Sequence, residues 1–94
     1  MRSLVALAHI ARYQGDSHTE VRLRRELTKL RNNPWDWFLM AESYDSRIVE
    51  PASAREAYLK ALEINNRGGG LNEATVNYAR NRLMKLTQPA YKPE

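Results

Sequence analysis

The chain has 94 residues, a net charge of +4 at pH 7 and no cysteine. This length predicts a single domain, and the lack of cysteine excludes a disulfide framework, a thiol nucleophile and every cysteine-based metal site. No apolar run approaches the ~18 residues that a membrane-spanning helix requires, so we expect no membrane span.

The first predicted helix covers residues 3–14, because apolar residues recur at the spacing of one helical stripe, beginning with Leu4 and Leu7. The same segment holds a basic residue, small apolar residues and no acid, as a cleavable targeting segment does. His9 interrupts its short apolar run. We therefore favour a retained helix and a cytoplasmic location over a targeting segment.

The second predicted helix covers residues 18–31, because Ser17 and Glu20 have the spacing of a capping box. Its polar side carries three bases that share one face: Arg22, Arg25 and Lys29. Phosphate groups of nucleic acid would suit such a face. We favour a solvated outer surface over such a site, because an acid interleaves with the bases and no aromatic residue lies within the run.

Proline marks the start of the next two helices. Asn33 is a good N-cap and Pro34 loses no hydrogen bond at the first helical position, so the third helix should cover residues 34–46. Pro51 and a capping box that starts at Ser53 predict the fourth helix. These short connections favour helices that pack side by side.

The run Gly68–Gly70 should end the fourth helix and form a flexible hinge. That hinge would let the fifth helix, capped by Asn72 and stopped by Pro89, dock on its own chain or on a neighbour. No segment alternates with the period of a strand. The sequence therefore predicts an all-α domain over residues 1–88, with about five helices as antiparallel hairpins, and a short tail over residues 89–94.

Large and small residues recur at fixed intervals in the third and fourth helices. They are Trp37, Met40, Ala41 and Tyr44, followed by Ala54, Tyr58 and Ala61. This spacing resembles a tetratricopeptide repeat, in which large residues fill the gap between paired helices and small ones permit close approach. Residues 3–34 look like a weaker copy, although Arg24 stands where a large apolar residue belongs. The fifth helix resembles a capping helix, and a generic helical bundle is the alternative.

The resemblance implies a non-enzymatic protein-interaction adaptor or a small subunit of a larger assembly. Such repeats bind a peptide or helix in a groove lined by the first helix of each pair. The groove positions here would be Arg2, Val5, His9, Arg12, Trp35, Phe38, Glu42 and Asp45. Trp35 and Phe38 would then be exposed anchors, unless both are buried in the chain. A short array also exposes its end faces, so we expect a partner or a second copy to cover them.

No residue pattern indicates catalysis or metal binding. His9 and His18 lack carboxylates at metal-ligand spacing. The glycine run lacks the strand and the lysine of a phosphate loop. We therefore expect no enzymatic activity, metal or cofactor.

The distribution of charge leaves a competing function open. Residues 1–33 hold seven bases and three acids, residues 34–65 three bases and six acids, and residues 66–94 five bases and two acids. This order suits head-to-tail contact or an acidic partner as well as it suits nucleic acid. The alternative to an adaptor is a small nucleic-acid-binding protein that uses the second and fifth helices.

Overall fold

The computed structural model describes residues 3–87, and this part of the chain is all-α, as predicted. Five α-helices follow one another: α1 (Leu4–Tyr13), α2 (Ser17–Leu30), α3 (Pro34–Glu42), α4 (Pro51–Gly68) and α5 (Glu73–Thr87). The predicted tail lies outside the described residues. The positions of the helices agree with the sequence prediction to within one or two residues, except at the end of α3.

The third helix ends in a widened turn that the sequence did not predict. It is α-helical only to Glu42 and continues as a π-helical segment over Ser43–Ile48. Val49 then closes the segment with a left-handed backbone, at φ 64°. A β-branched residue is unfavourable in this conformation, so neither the turn nor its end follows from residue propensities.

Two of the predicted helix starts are confirmed. The side chain of Asn33 accepts a hydrogen bond from the backbone N–H of Trp35 at 2.9 Å, and Pro34 is the first residue of α3. The side chain of Asn72 accepts from the N–H of Thr75 at 2.8 Å at the start of α5.

The two predicted capping boxes are wrong. Asp16, one residue before Ser17, caps α2 by accepting from the N–H of Thr19 at 3.2 Å. Ser17 is therefore inside the helix and buried. The fourth helix begins at Pro51 without a side-chain cap, so Ser53 lies within its first turn. In both cases the start is fixed upstream of the predicted cap, by Asp16 as the N-cap of α2 and by Pro51 as the first residue of α4.

Helices that are neighbours in the chain are also neighbours in space. α1 packs on α2, α3 packs on α4, and α5 packs on α4, while α2 and α3 join the two hairpins. The core lies mainly between α3 and α4, around Met40 and Tyr58, which are fully buried. Buried alanines allow the two helices to approach closely: Ala41, Ala54, Ala57 and Ala61.

The glycine run between α4 and α5 is packed against α3. The indole N–H of Trp35 donates to the carbonyl of Gly70 at 2.9 Å. A Cβ atom on Gly70 would lie 2.9 Å from Cγ of Pro34, and the φ of Gly70 is 122°. The last glycine therefore fixes the connection by close approach, so it is not the free hinge that we expected. α5 docks on its own chain.

This contact predicts different effects for two glycines of the same run. Gly70→Ala should lower the free energy of unfolding by about 1–3 kcal/mol, because alanine is strained at this φ and meets Pro34. Gly68 is helical with no atom within 4 Å of its added Cβ, so Gly68→Ala should be neutral or stabilise by up to ~1 kcal/mol. Urea unfolding monitored by circular dichroism measures the free energy of unfolding of both variants. Equal effects would contradict the close approach at Gly70.

Candidate functional site

Buried charges join α2 to α3. The side chains of Glu20 and Arg24 in α2 and of Asp36 in α3 are at most 1% exposed. Nε of Arg24 donates to the Glu20 carboxylate at 2.7 Å, and its Nη1 lies 3.8 Å from the Asp36 carboxylate. Such side chains are almost never fully buried unless they are paired. We call these three residues the buried ion cluster.

Other polar groups surround the buried ion cluster. Glu20 also accepts from the hydroxyl of Ser43 at 2.7 Å and from Nη1 of Arg12 at 3.0 Å. Asp36 accepts two hydrogen bonds from the guanidinium of Arg31, at 2.8 and 2.9 Å. Both buried carboxylates therefore accept several hydrogen bonds, which connect α2 with α1, with the first turn of α3 and with the π-helical segment.

A second ion pair joins the π-helical segment to α5. The carboxylate of Asp45 accepts from Nε and Nη2 of Arg82, both at 2.7 Å, and from the hydroxyl of Tyr58 at 3.0 Å. Two-point contacts of this kind between a guanidinium and a carboxylate are strong and orient both groups. The side chain of Asp45 is only 7% exposed, so the pair holds α5 on its own chain.

These pairs account for much of the alternating charge in the sequence. The acids of α3 and the π-helical segment contact bases from both ends of the chain: Asp36 with Arg31, Glu42 with Arg12, and Asp45 with Arg82. The basic ends and the acidic middle are therefore joined within one molecule. The charge pattern does not require an acidic partner or a head-to-tail contact between copies.

The expectation that Phe38 is an exposed anchor is wrong. Its side chain is 6% exposed and lies within a cluster of aromatic rings. Its ring centroid is 5.7 Å from that of Trp35 and 6.0 Å from those of Tyr58 and Tyr78, all in edge-to-face geometry. α4 and α5 supply these tyrosines, so both helices contribute to the burial of Phe38.

Three more of the predicted groove residues are engaged within the chain. Nη2 of Arg12 lies 2.6 Å from the Glu42 carboxylate, and Asp45 is paired with Arg82. Of the others, His9 is exposed, whereas Val5 and Trp35 are partly buried. Arg2 lies outside the described residues. The structure therefore leaves few of the predicted groove side chains available to a partner.

α1 presents an apolar surface that the sequence analysis did not single out. Its only buried residues are Ala8 and Ala11, whereas Tyr13 is 94% exposed. The other large apolar side chains are only partly buried: Leu4, Val5, Leu7 and Ile10. Arg12 is the only charged residue of this helix. A helix that is apolar on more than one side is the sequence signal for such a surface.

An open depression of about 700 Å³ lies at the end of α1. Its lining residues are His9, Ile10, Arg12, Tyr13, Gln14 and Arg47. Arg47 comes from the π-helical segment, and its Nη1 lies 3.4 Å from the carbonyl of Arg12. We call the side chains of His9, Ile10 and Tyr13, together with Arg47, the α1 outer face. It combines apolar and aromatic surface with a cation at its edge.

The bases predicted as an alternative site are exposed along α2. Arg22 carries no ion pair with another described residue, and Nη2 of Arg25 donates to the hydroxyl of Tyr44 at 2.9 Å. Lys29 pairs weakly with Glu26 at 3.4 Å. Arg24, in the same run, instead belongs to the buried ion cluster. Arg24 was not part of the predicted face, and the three bases of that face are all exposed.

Two carboxylates should make the fold sensitive to acid. Hydrogen bonds from Arg82 hold the pKa of Asp45 below its ordinary value. Burial alone would raise the pKa of Glu20, but hydrogen bonds led by Arg24 outweigh burial and lower it. A carboxyl group with a lowered folded pKa stabilises the fold above its unfolded pKa, near ~4. This stabilisation is lost as the pH falls through the folded pKa.

We therefore expect the melting temperature to drop steeply as the pH falls below ~4. Asp45→Asn should lower stability at neutral pH and make the loss in acid shallower, because one carboxyl with a lowered pKa is gone. Glu56→Gln, which removes an exposed carboxylate of α4, is the control, and its melting temperature should depend on pH as that of the wild type does. Thermal unfolding monitored by circular dichroism between about pH 2.5 and 7 gives the melting temperature of each variant. If the melting temperatures of both variants fall equally steeply with decreasing pH, Asp45 does not contribute to the acid sensitivity.

Within residues 3–87, no group of three or more histidine and carboxylate side chains is placed to hold a metal ion. None of the helices described here combines the length and the apolar character needed to cross a bilayer. Comparisons of the chain with protein-family models, with curated proteins and with solved structures gave no match. No family is therefore assigned to the chain.

Proposed function

We propose that the chain is a non-enzymatic protein-interaction module, an adaptor or a small subunit of a larger assembly, whose contact surface is the α1 outer face. One observation carries the proposal. α2 covers only one side of α1, and the large apolar side chains on its other sides stay partly or fully exposed. Exposed apolar surface at the end of a short helical array is unfavourable in water. Exposed aromatic residues are also common hot spots of protein interfaces.

The proposal includes helix pairs of the tetratricopeptide kind. It is supported by the burial of Met40 and Ala41 in α3 and of Ala54 and Ala61 in α4, as the repeat spacing requires. The contact surface differs from the expected groove, because Phe38 is buried and three charged groove residues, Arg12, Glu42 and Asp45, are paired within the described part of the chain. A partner would therefore bind at the exposed end of the array.

A second candidate function is binding to nucleic acid through α2. It is favoured by the exposure of Arg22, Arg25 and Lys29 on one face of the helix. Arg22 and Arg25 have no carboxylate within 4 Å among the described residues. Phosphate contacts by such residues would make binding fall steeply as salt increases.

Capture from host lysate separates the two functions. We expect the wild-type chain to retain protein partners after nuclease treatment and at ~0.5 M salt. Tyr13→Glu should lose them, because it places a charge on the α1 outer face without disturbing the core. Met84→Glu is the matched control, because it changes an apolar residue that is 61% exposed on α5. Circular dichroism establishes that both variants are folded.

Two results would reject the proposed function. Capture that disappears with nuclease or salt, and with Arg22→Glu plus Arg25→Glu, would favour nucleic acid. Partners lost equally in Tyr13→Glu and Met84→Glu would place the contact elsewhere than on α1.

A further inference from the structure

The depression at the end of α1 is lined by bases and by no acid. Its lining includes Arg12, Arg47 and His9, but neither an aspartate nor a glutamate. Two other depressions among the described residues are also lined by bases, and Glu63 lines each of them. The depression at α1 differs from these two because it has no carboxylate of its own.

Arg47 has a guanidinium that the described chain leaves mostly without acceptors. Arg12, Arg31 and Arg82 each lie within 3.0 Å of a carboxylate oxygen. Arg47 has no carboxylate within 4 Å among the described residues, and its hydrogen bond from Nη1 to the carbonyl of Arg12 is 3.4 Å long. A guanidinium carries five N–H donors in a fork that matches a carboxylate. Arg47 can therefore bind a carboxylate that another molecule supplies.

Apolar surface adjoins this guanidinium. Tyr13 is 94% exposed, and the partly buried Ile10 lies beside it in the lining of the depression. A ligand that fits the depression must place an apolar group against these two side chains and an anionic group at Arg47. A polypeptide offers both when an acidic residue stands close to a large apolar one. In a helix, residues three or four apart share one face in this way.

We infer that the partner of the α1 outer face is an acidic amphipathic segment of another protein. Its carboxylate pairs with Arg47, and an apolar side chain on the same face fills the depression. Charge complementarity selects this occupant, because the site supplies a cation and no acid. The inference rests on the proposed function, since it names the chemistry of the partner that binds the same surface. A second copy does not fit, because α1 contains no acidic residue to meet Arg47.

Two other anionic partners are less suitable. A polynucleotide presents a row of phosphates, whereas Arg47 is the only arginine or lysine of the α1 outer face. An anionic bilayer is a broad surface that receives the apolar side of a helix lying on it. Here the cation lies beside a concave depression, and concave sites suit single groups of a ligand.

The contact should be mainly apolar. An exposed ion pair contributes little to affinity and is screened by salt, so the carboxylate selects the partner more than it holds it. We therefore expect loss of the carboxylate from the partner to weaken binding about two- to fivefold. An increase to ~0.5 M salt should weaken binding by no more than this.

Selection from a random peptide library, with the purified full chain as bait, tests this inference. We expect the enriched peptides to contain an aspartate or glutamate within about four residues of a large apolar residue. Isothermal titration calorimetry then gives their dissociation constants. Arg47→Glu should raise these constants at least tenfold, because it opposes two carboxylates. Arg80→Glu, which changes an exposed base of α5, is the matched control and should leave them within about twofold.

Reversal of both charges tests the ion pair itself. A peptide with lysine in place of its acid should bind the wild-type chain more weakly than the original peptide does. The same lysine peptide should bind Arg47→Glu more tightly than the original peptide does. Arg47 is exposed, so neither Arg47→Glu nor Arg47→Gln should disturb the core, and circular dichroism establishes that both are folded.

Several results would overturn the inference. They are a library that yields no binder, enriched peptides without an acid, and acidic peptides whose binding Arg47→Glu leaves unchanged. Vesicles of phosphatidylcholine and phosphatidylglycerol provide a further test. Binding of the chain to them that depends on Tyr13 and Arg47, and that no acidic peptide displaces, would identify a lipid surface as the partner instead.

The outcomes also separate this inference from the proposed function. Protein partners captured from lysate that are lost with Tyr13→Glu but kept with Arg47→Glu would reject the acidic partner and retain the interaction module. Capture that neither variant reduces would reject both.

Discussion

Glu20→Ala is expected to lower the free energy of unfolding by about 3–5 kcal/mol, because it leaves Arg24 buried without its closest counter-ion. Arg24 is 1% exposed, and its other acidic neighbour, Asp36, is 3.8 Å away. Domains of this size have a total stability of only about 5–15 kcal/mol. The variant should therefore be close to unfolding at room temperature, as measured by urea denaturation with circular dichroism.

The double variant Glu20→Met with Arg24→Met is the control for this prediction. Removing both charges replaces an ion pair by apolar side chains of similar length, which is often neutral or stabilising in buried positions. We expect the double variant to be clearly more stable than Glu20→Ala. A double variant as unstable as Glu20→Ala would mean that the loss does not come from the uncompensated charge of Arg24.

Phe38→Ala is expected to lower the free energy of unfolding by about 3–5 kcal/mol, the usual cost of removing a buried phenylalanine ring. The same change would have almost no effect on stability if Phe38 were an exposed groove anchor. Tyr13→Ala provides the comparison, because this side chain is 94% exposed and its removal should stay within about 0.5 kcal/mol. Similar values for Phe38→Ala and Tyr13→Ala would contradict the burial of Phe38.

The helices themselves were largely predictable because their starts and stops are local signals. Asn33, Pro34 and Asn72 act where the sequence places them. The capping boxes failed because Ser17 and Ser53 compete with better starts upstream, at Asp16 and Pro51. The π-helical segment has no periodic signal of its own, so the spacing of apolar residues could not predict where α3 ends.

The candidate site was less predictable because it depends on which helices meet. The spacing of Phe38, Glu42 and Asp45 predicts one side of the third helix, yet Glu42 pairs with Arg12 of α1 whereas Asp45 pairs with Arg82 of α5. Spacing also cannot show whether α5 covers Phe38 and Asp45, since the glycine run permits docking on the same chain or on another. Once α5 docks, Phe38 is buried beside Tyr78, and Asp45 is paired with Arg82.

The contacts of the charged residues were also not predictable from the sequence. The order of basic, acidic and basic segments was visible, but nothing in it separates a contact within the chain from a contact with a partner. Arg24 is the most deeply buried cation of the described chain. The one sequence signal of this burial was that Arg24 stands where the spacing that resembles a repeat has a large apolar residue.

The order of packing has a consequence for how fast the chain folds. Each helix packs mainly on the helix that precedes or follows it, so most contacts join residues that are close in sequence. Folding rates rise as contacts become more local, because only short loops have to close before apolar surface is buried. The chain should therefore fold within about microseconds to milliseconds, as helical bundles do. The docking of α5 through Arg82 and Gly70 could then form as a late step on a hairpin pair that is already in place.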